Sequence, residues 1–89
     1  METLGRLQMF RFLSCQLLDW NSADDVVVGE GEFCSIEQTY KIGRIQLGPN
    51  AVAIIVKSVL KEEAYVWRPT PSIFTLGQAV GDKIAWPAD

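Results

Sequence analysis

Gly48-Pro49-Asn50 is the clearest turn in the chain, and it opens directly onto the longest apolar run, Ala51-Val52-Ala53-Ile54-Ile55-Val56. Proline presets φ for the second position of a turn, and asparagine tolerates the positive φ of the third. The run that follows is short, rich in β-branched residues and apolar on both faces. That marks a strand covered on both sides, or one at the centre of a barrel wall. The turn predicts a hairpin that joins residues 40–47 to residues 51–60. The same run is far too short to cross a bilayer, which takes about 20 residues.

Glycine and proline divide the rest of the chain in the same way. Val26-Val27-Val28 starts a β-branched stretch that continues through Gly29-Glu30-Gly31 to Phe33 and Ile36. Two glycines inside a strand suggest a bulge or the sharp bend that small barrels need at corners. Tyr40 and Ile42 alternate, whereas Ile45 and Leu47 are shifted by one, which a bulge at Gly43 would correct. Residues 64–67 read as extended and stop at Arg68-Pro69-Thr70-Pro71, where two prolines block both helix and central strand. Thr75-Leu76-Gly77-Gln78-Ala79-Val80-Gly81 reads as a short helix. Thr75 and Gln78 form a capping box, and Gly81 closes the helix in the left-handed conformation. Residues 83–86 read as a last strand, halted by Pro87. Residues 19–25, rich in Asn, Ser and Asp, read as a loop.

The start of the chain is harder to read. Leu4, Leu7, Phe10, Leu13 and Leu17 recur at helical spacing, which favours a helix at first and a strand from about Phe12 onward. The predicted organisation is therefore an N-terminal segment over residues 1–14, helical at its start, and one domain over residues 15–89. That domain is mostly β, a small five- to six-stranded partly open barrel with one short helix near residues 75–81. A chain of 89 residues has room for one domain of this kind. Its 48% hydrophobic and 21% charged residues place it among folded globular proteins, not disordered ones.

The residues exclude more chemistry than they suggest. There is no histidine, so the commonest general base, the commonest metal ligand and every Ser-His or Cys-His dyad are gone. Two cysteines, Cys15 and Cys34, cannot make a four-ligand zinc site within one chain. Neither has a local Lys or Arg to activate it. Free thiols in a reducing compartment are the simpler reading, and a disulfide is the alternative. Asp24-Asp25 and Glu62-Glu63 fall in predicted turns, where acids are usually just solvated. The glycine spacings match neither a phosphate loop nor a dinucleotide fingerprint. No cofactor, metal or catalytic residue is expected, and no enzyme activity.

What remains is binding. Tyr65, Trp67 and Arg68 are the first candidates for a partner-binding surface, with Tyr40 and Arg44 second. Aromatic and arginine side chains anchor protein interfaces, and an unpaired strand edge can accept a partner's strand. A protein partner or a second copy of the chain is the expected ligand. The alternative is single-stranded nucleic acid, held by an aromatic and basic face of Tyr40, Lys41, Arg44, Trp67 and Arg68. The formal net charge of −3 counts against it. The first residues lack the apolar core of a secretory signal, so an intracellular setting and no membrane are expected.

Several motifs occur in a fixed order: Cys15-Gln16-Leu17-Leu18, Val27-Val28-Gly29-Glu30-Gly31, and Ile42-Gly43-Arg44-Ile45-Gln46-Leu47-Gly48-Pro49-Asn50 with Val52, Ile54 and Val56. Thr75-Leu76-Gly77-Gln78-Ala79-Val80-Gly81 with Trp86-Pro87 closes the series. Over about residues 15–87 the chain resembles a plant domain of unknown function found in transposon-derived and transposase-associated proteins. That family often has a histidine where this chain has Ile42, so no role of that histidine carries over. The resemblance implies a transposon-related origin and a nuclear or cytoplasmic setting. It implies no reaction.

Overall fold

The computed structural model describes residues 2–88, so Met1 and Asp89 lie outside the described residues. The described residues contain eight strands and one turn of 3-10 helix. β1 is Glu2–Leu4, β2 Leu7–Met9, β3 Ser14–Leu18 and β4 Val27–Ser35. β5 is Lys41–Ile42, β6 Ile45–Gln46, β7 Ala51–Val59 and β8 Lys83–Pro87, with the helix at Leu76–Ala79. Six strands form one antiparallel sheet in the order β1-β2-β3-β4-β7-β8, and β5 and β6 pair only with each other. The mostly β, partly open barrel read from the sequence is the architecture observed.

The sheet curls because β4 carries glycines where it meets β7. A Cβ on Gly31 would stand 2.6 Å from the Ile55 carbonyl oxygen, and one on Gly29 would stand 2.9 Å from that of Ser58. No side chain fits there, so the backbones approach closely and the register slips between Glu30 and Gly31. This is the bend expected from the two glycines.

β7 is covered on both sides, as its composition requires. Val52, Ile54 and Val56 face the main core with Leu7, Leu17 and Trp86. Ala51 and Ala53 face a second, smaller cluster with Leu47 and Ala85, flanked by Cys34, Tyr40, Ile42 and Trp67. The alanines matter because small side chains let the segment 40–47 lie close against that face.

Three expectations are corrected. The N-terminal segment is not helical at its start: β1 and β2 form a tight hairpin in which Leu4 pairs with Leu7. Gly5, at φ 58, reverses the chain between them. Leu7 and Leu17 then pair across strands, both fully buried, while Phe10, Phe12 and Leu13 stay exposed. The spacing that imitates a helical face is therefore split between core and solvent. Second, residues 40–47 do not pair with 51–60. Gly43, at φ 64, turns β5 back on β6, with Ile42 opposite Ile45. Third, residues 64–67 do not form a full strand. They contribute one bridge, Tyr65 to Thr75, backed by bonds from Val66 N to the Phe74 carbonyl and from Leu76 N to the Ala64 carbonyl.

The Gly48-Pro49-Asn50 turn is real, with Gly48 at φ 75 and Asn50 at φ 57. The short helix also forms where expected. The Gln78 side chain accepts from the Thr75 N–H at 3.2 Å and the Phe74 N–H at 2.7 Å, and Gly81 takes φ 89.

Among the described residues, hydrogen bonds tie the first hairpin to the last strand at one corner of the open barrel. The Arg6 N–H bonds the Pro87 carbonyl at 3.1 Å. The buried Trp86 indole donates to the carbonyls of Arg6 and Leu18 at 3.1 and 3.0 Å. The Arg6 guanidinium then holds the 19–25 loop through the carbonyls of Asp19 and Asp24 and an ion pair with Asp25.

Candidate functional site

The second cluster supports an apolar groove at the surface. The β5–β6 hairpin, residues 68–73 and the start of β8 enclose a groove of about 140 Å³. Branched aliphatic side chains line it: Ile42, Ile45, Leu47, Ile73 and Ile84, together with Pro69. Ile45 is 74% exposed at the rim of the groove. Each wall has a local cause. Gly43 makes the two-residue turn that presents Ile42 and Ile45 together. The Leu47 N–H bonds the Tyr40 carbonyl at 2.7 Å, which ties down the base of the hairpin. On the opposite wall the Thr70 hydroxyl accepts from the Ile73 N–H at 3.1 Å and closes the turn after Pro69.

Among the described residues two cations stand in the groove wall, Arg68 and Lys83, and no carboxylate lines it. The Arg68 guanidinium sits 4.6 Å from the centre of the Trp67 ring and donates to the Leu47 carbonyl at 2.7 Å. The Lys83 ammonium lies 5.5 Å from the centre of the Tyr40 ring. Hydrogen bonding to Tyr40, then simple attraction between the two groups, raises the Lys83 pKa above its ordinary value.

The five residues singled out in the sequence do not form one contact surface. Arg68 lines the groove, and Tyr40 supports it from beneath Lys83. Arg44 is exposed in the hairpin turn beside Ile45. Trp67 is half-buried and packs against both clusters, so it acts as a wall between them rather than a free anchor. Tyr65 is 63% exposed but is not among the groove residues. Its carbonyl accepts from the Trp20 indole at 2.9 Å, which docks the polar loop on the other side. Ile42, Ile45, Ile73 and Lys83 were missed. The available signal was the one-residue shift in apolar alternation at Ile45.

The thiols are both free. Burial is the main cause that pushes Cys15 up to about 11, against a partial offset from a backbone hydrogen bond at Gly31. Such a thiol is almost wholly protonated at neutral pH and is a poor nucleophile. Among the described residues no helix is long and apolar enough to cross a membrane.

A family model described as TNP1/EN/SPM transposase matches residues 15–80, from β3 through the 3-10 helix. No curated protein and no solved structure gives a significant match to the chain.

Proposed function

The chain belongs to the TNP1/EN/SPM transposase family, and from that premise we propose that it is a non-catalytic docking module that binds another protein. One observation carries the reading. A chain with net charge −3 keeps an aliphatic groove open to solvent and places Arg68 and Lys83 in its wall. Apolar concavity with a few convergent polar groups is the common form of a recognition site. The lining also weighs against single-stranded nucleic acid. Bases stack on flat aromatic faces, whereas this groove offers isoleucine, leucine and proline. Trp67 and Tyr40 are half-buried, each with a cation beside its ring. The raised thiol of Cys15 argues against a nucleophilic role for that residue. The intracellular setting and plant origin implied by the sequence resemblance accompany this proposal.

The test is a capture experiment from native tissue extract, with and without nuclease. The intact chain is expected to retain a protein after nuclease treatment, and the Ile45→Asp variant is expected to lose it. Retention that disappears with nuclease would transfer the function to nucleic acid.

A further inference from the structure

The groove has a floor that the side chains alone do not describe. Among the described residues, β8 pairs with β7 on one side only. Its pairing bonds can be phased from the two ends of the ladder. The Val56 N–H bonds the Asp82 carbonyl, and the Ala88 N–H bonds the Asn50 carbonyl. In an antiparallel ladder, residues opposite one another alternate between bonded and non-bonded pairs. With Ile54 opposite Ile84 and Val52 opposite Trp86, the even-numbered residues of β8 turn their peptide groups toward β7. Lys83, Ala85 and Pro87 turn theirs away. The Pro87 carbonyl confirms the phase, since it reaches outward to Arg6.

The amide and carbonyl groups of Lys83 and Ala85 have no such partner among the described residues. Both residues line the groove. A short stretch of unpaired strand edge thus lies along the wall of an aliphatic cavity. Pro87 has no N–H and its carbonyl is taken, so the open edge ends there.

We infer that this edge takes up an extended, acidic segment of the partner protein as a further strand beside β8. The inference rests on the protein-binding reading above and specifies its chemistry. The four free backbone groups of Lys83 and Ala85 would pair with the incoming backbone, as in other cases of strand addition. Side chains at alternate positions of the added strand would fall into the groove beside Ile42 and Ile45. Acidic side chains at the flanking positions of that same face would meet cations, because Lys83 lies over Tyr40 on the side of the sheet that Ala85 shares with Ile42. Arg68 and Lys83 are in the wall, Lys41 and Arg44 are on the hairpin, and no lining residue among those described is acidic. Arg68 retains N–H groups beyond the one given to Leu47. The same cations disfavour a second copy of the chain, because two β8 edges placed together would bring like charges into contact.

The probe is a capped synthetic peptide of about eight residues with Ile at the central positions of its groove-facing side, Glu at the flanking positions of that same side and Thr on the other, close to the length of a natural strand. It is titrated into the full chain labelled with nitrogen-15. The expected result is binding with shifts at Lys83, Ala85 and Ile45, and amide exchange at Lys83 and Ala85 slowed at least about tenfold. Two control peptides carry the argument. One has Lys for every Glu, and the other is N-methylated at alternate amides, which removes strand pairing but keeps the side chains. Each is expected to bind at least about tenfold more weakly, as is the Glu-Ile peptide to the Ile45→Asp variant. Equal binding of the N-methylated peptide would overturn strand addition. Equal binding of the Lys peptide would overturn acidic selectivity. Protection at β1 instead of β8, or no binding at millimolar peptide, would overturn the inference as a whole. Groove-dependent protein capture would survive all of these outcomes, so the two proposals can fail separately.

Discussion

The two ends of β8 meet the rest of the molecule in different ways. At Trp86 and Pro87 the strand is sealed, because the indole bonds two carbonyls and the Pro87 carbonyl takes the Arg6 N–H. At Lys83 and Ala85, only a few residues away, the outward backbone groups lack partners among the described residues and face a groove. The sealed end has a donor supplied from outside the ladder, by the turn between β1 and β2. The open end has none within reach, because the β5–β6 hairpin covers the face of the sheet and not its edge. Closure of a small barrel is thus a local event at each strand pair, and one strand can be structural at one end and receptive at the other.

The largest expected effect breaks the sealed end. Trp86→Ala removes a fully buried side chain and should cost about 3–5 kcal/mol, a large share of the stability of a domain this size. Trp86→Phe keeps most of the bulk but removes the donor to the Leu18 carbonyl, and should cost about 1–3 kcal/mol. Urea midpoints would measure both, and equal midpoints for the Phe variant and the natural chain would show that the indole bonds do not hold the corner. Next comes the curl that brings β8 round. Gly31→Ala sets a Cβ against the Ile55 carbonyl, which is backbone and cannot swing aside. A loss of about 1–3 kcal/mol is expected from such overpacking. The smallest effect belongs to the open end. Ile45→Asp should change the urea midpoint by no more than about 0.5 kcal/mol equivalent, since the side chain is mostly exposed. A large loss of stability there would mean that the groove serves the fold, and the comparison between the two ends would collapse.

Much of this arrangement was legible wherever a residue constrains its own backbone. Gly48 and Asn50 take the positive φ that a turn at Pro49 demands, and Gly81 does the same after the helix. Gln78 reaches back to its cap because the spacing is local. Gly29 and Gly31 announced a bend, since few other reasons put two glycines in an apolar strand. The reading failed where the partner is distant. Leu4, Leu7, Phe10 and Leu13 have helical spacing, yet what decides their state is whether Leu7 meets Leu17 across a ladder. The half-burial of Trp67 was likewise not legible, because it depends on two clusters assembled from remote segments.

Local preference therefore settled the class of the fold: short strands, their breaks, the turn at Pro49 and the small capped helix all follow from torsional limits and apolar patterning within a few residues. It also settled what the chain lacks, since no folding can create a histidine. The strand order, the corner sealed by Trp86 and the groove beside Lys83 and Ala85 were decided only on assembly. They depend on which backbone groups of remote segments come within hydrogen-bonding distance, and sequence spacing carries no measure of that distance.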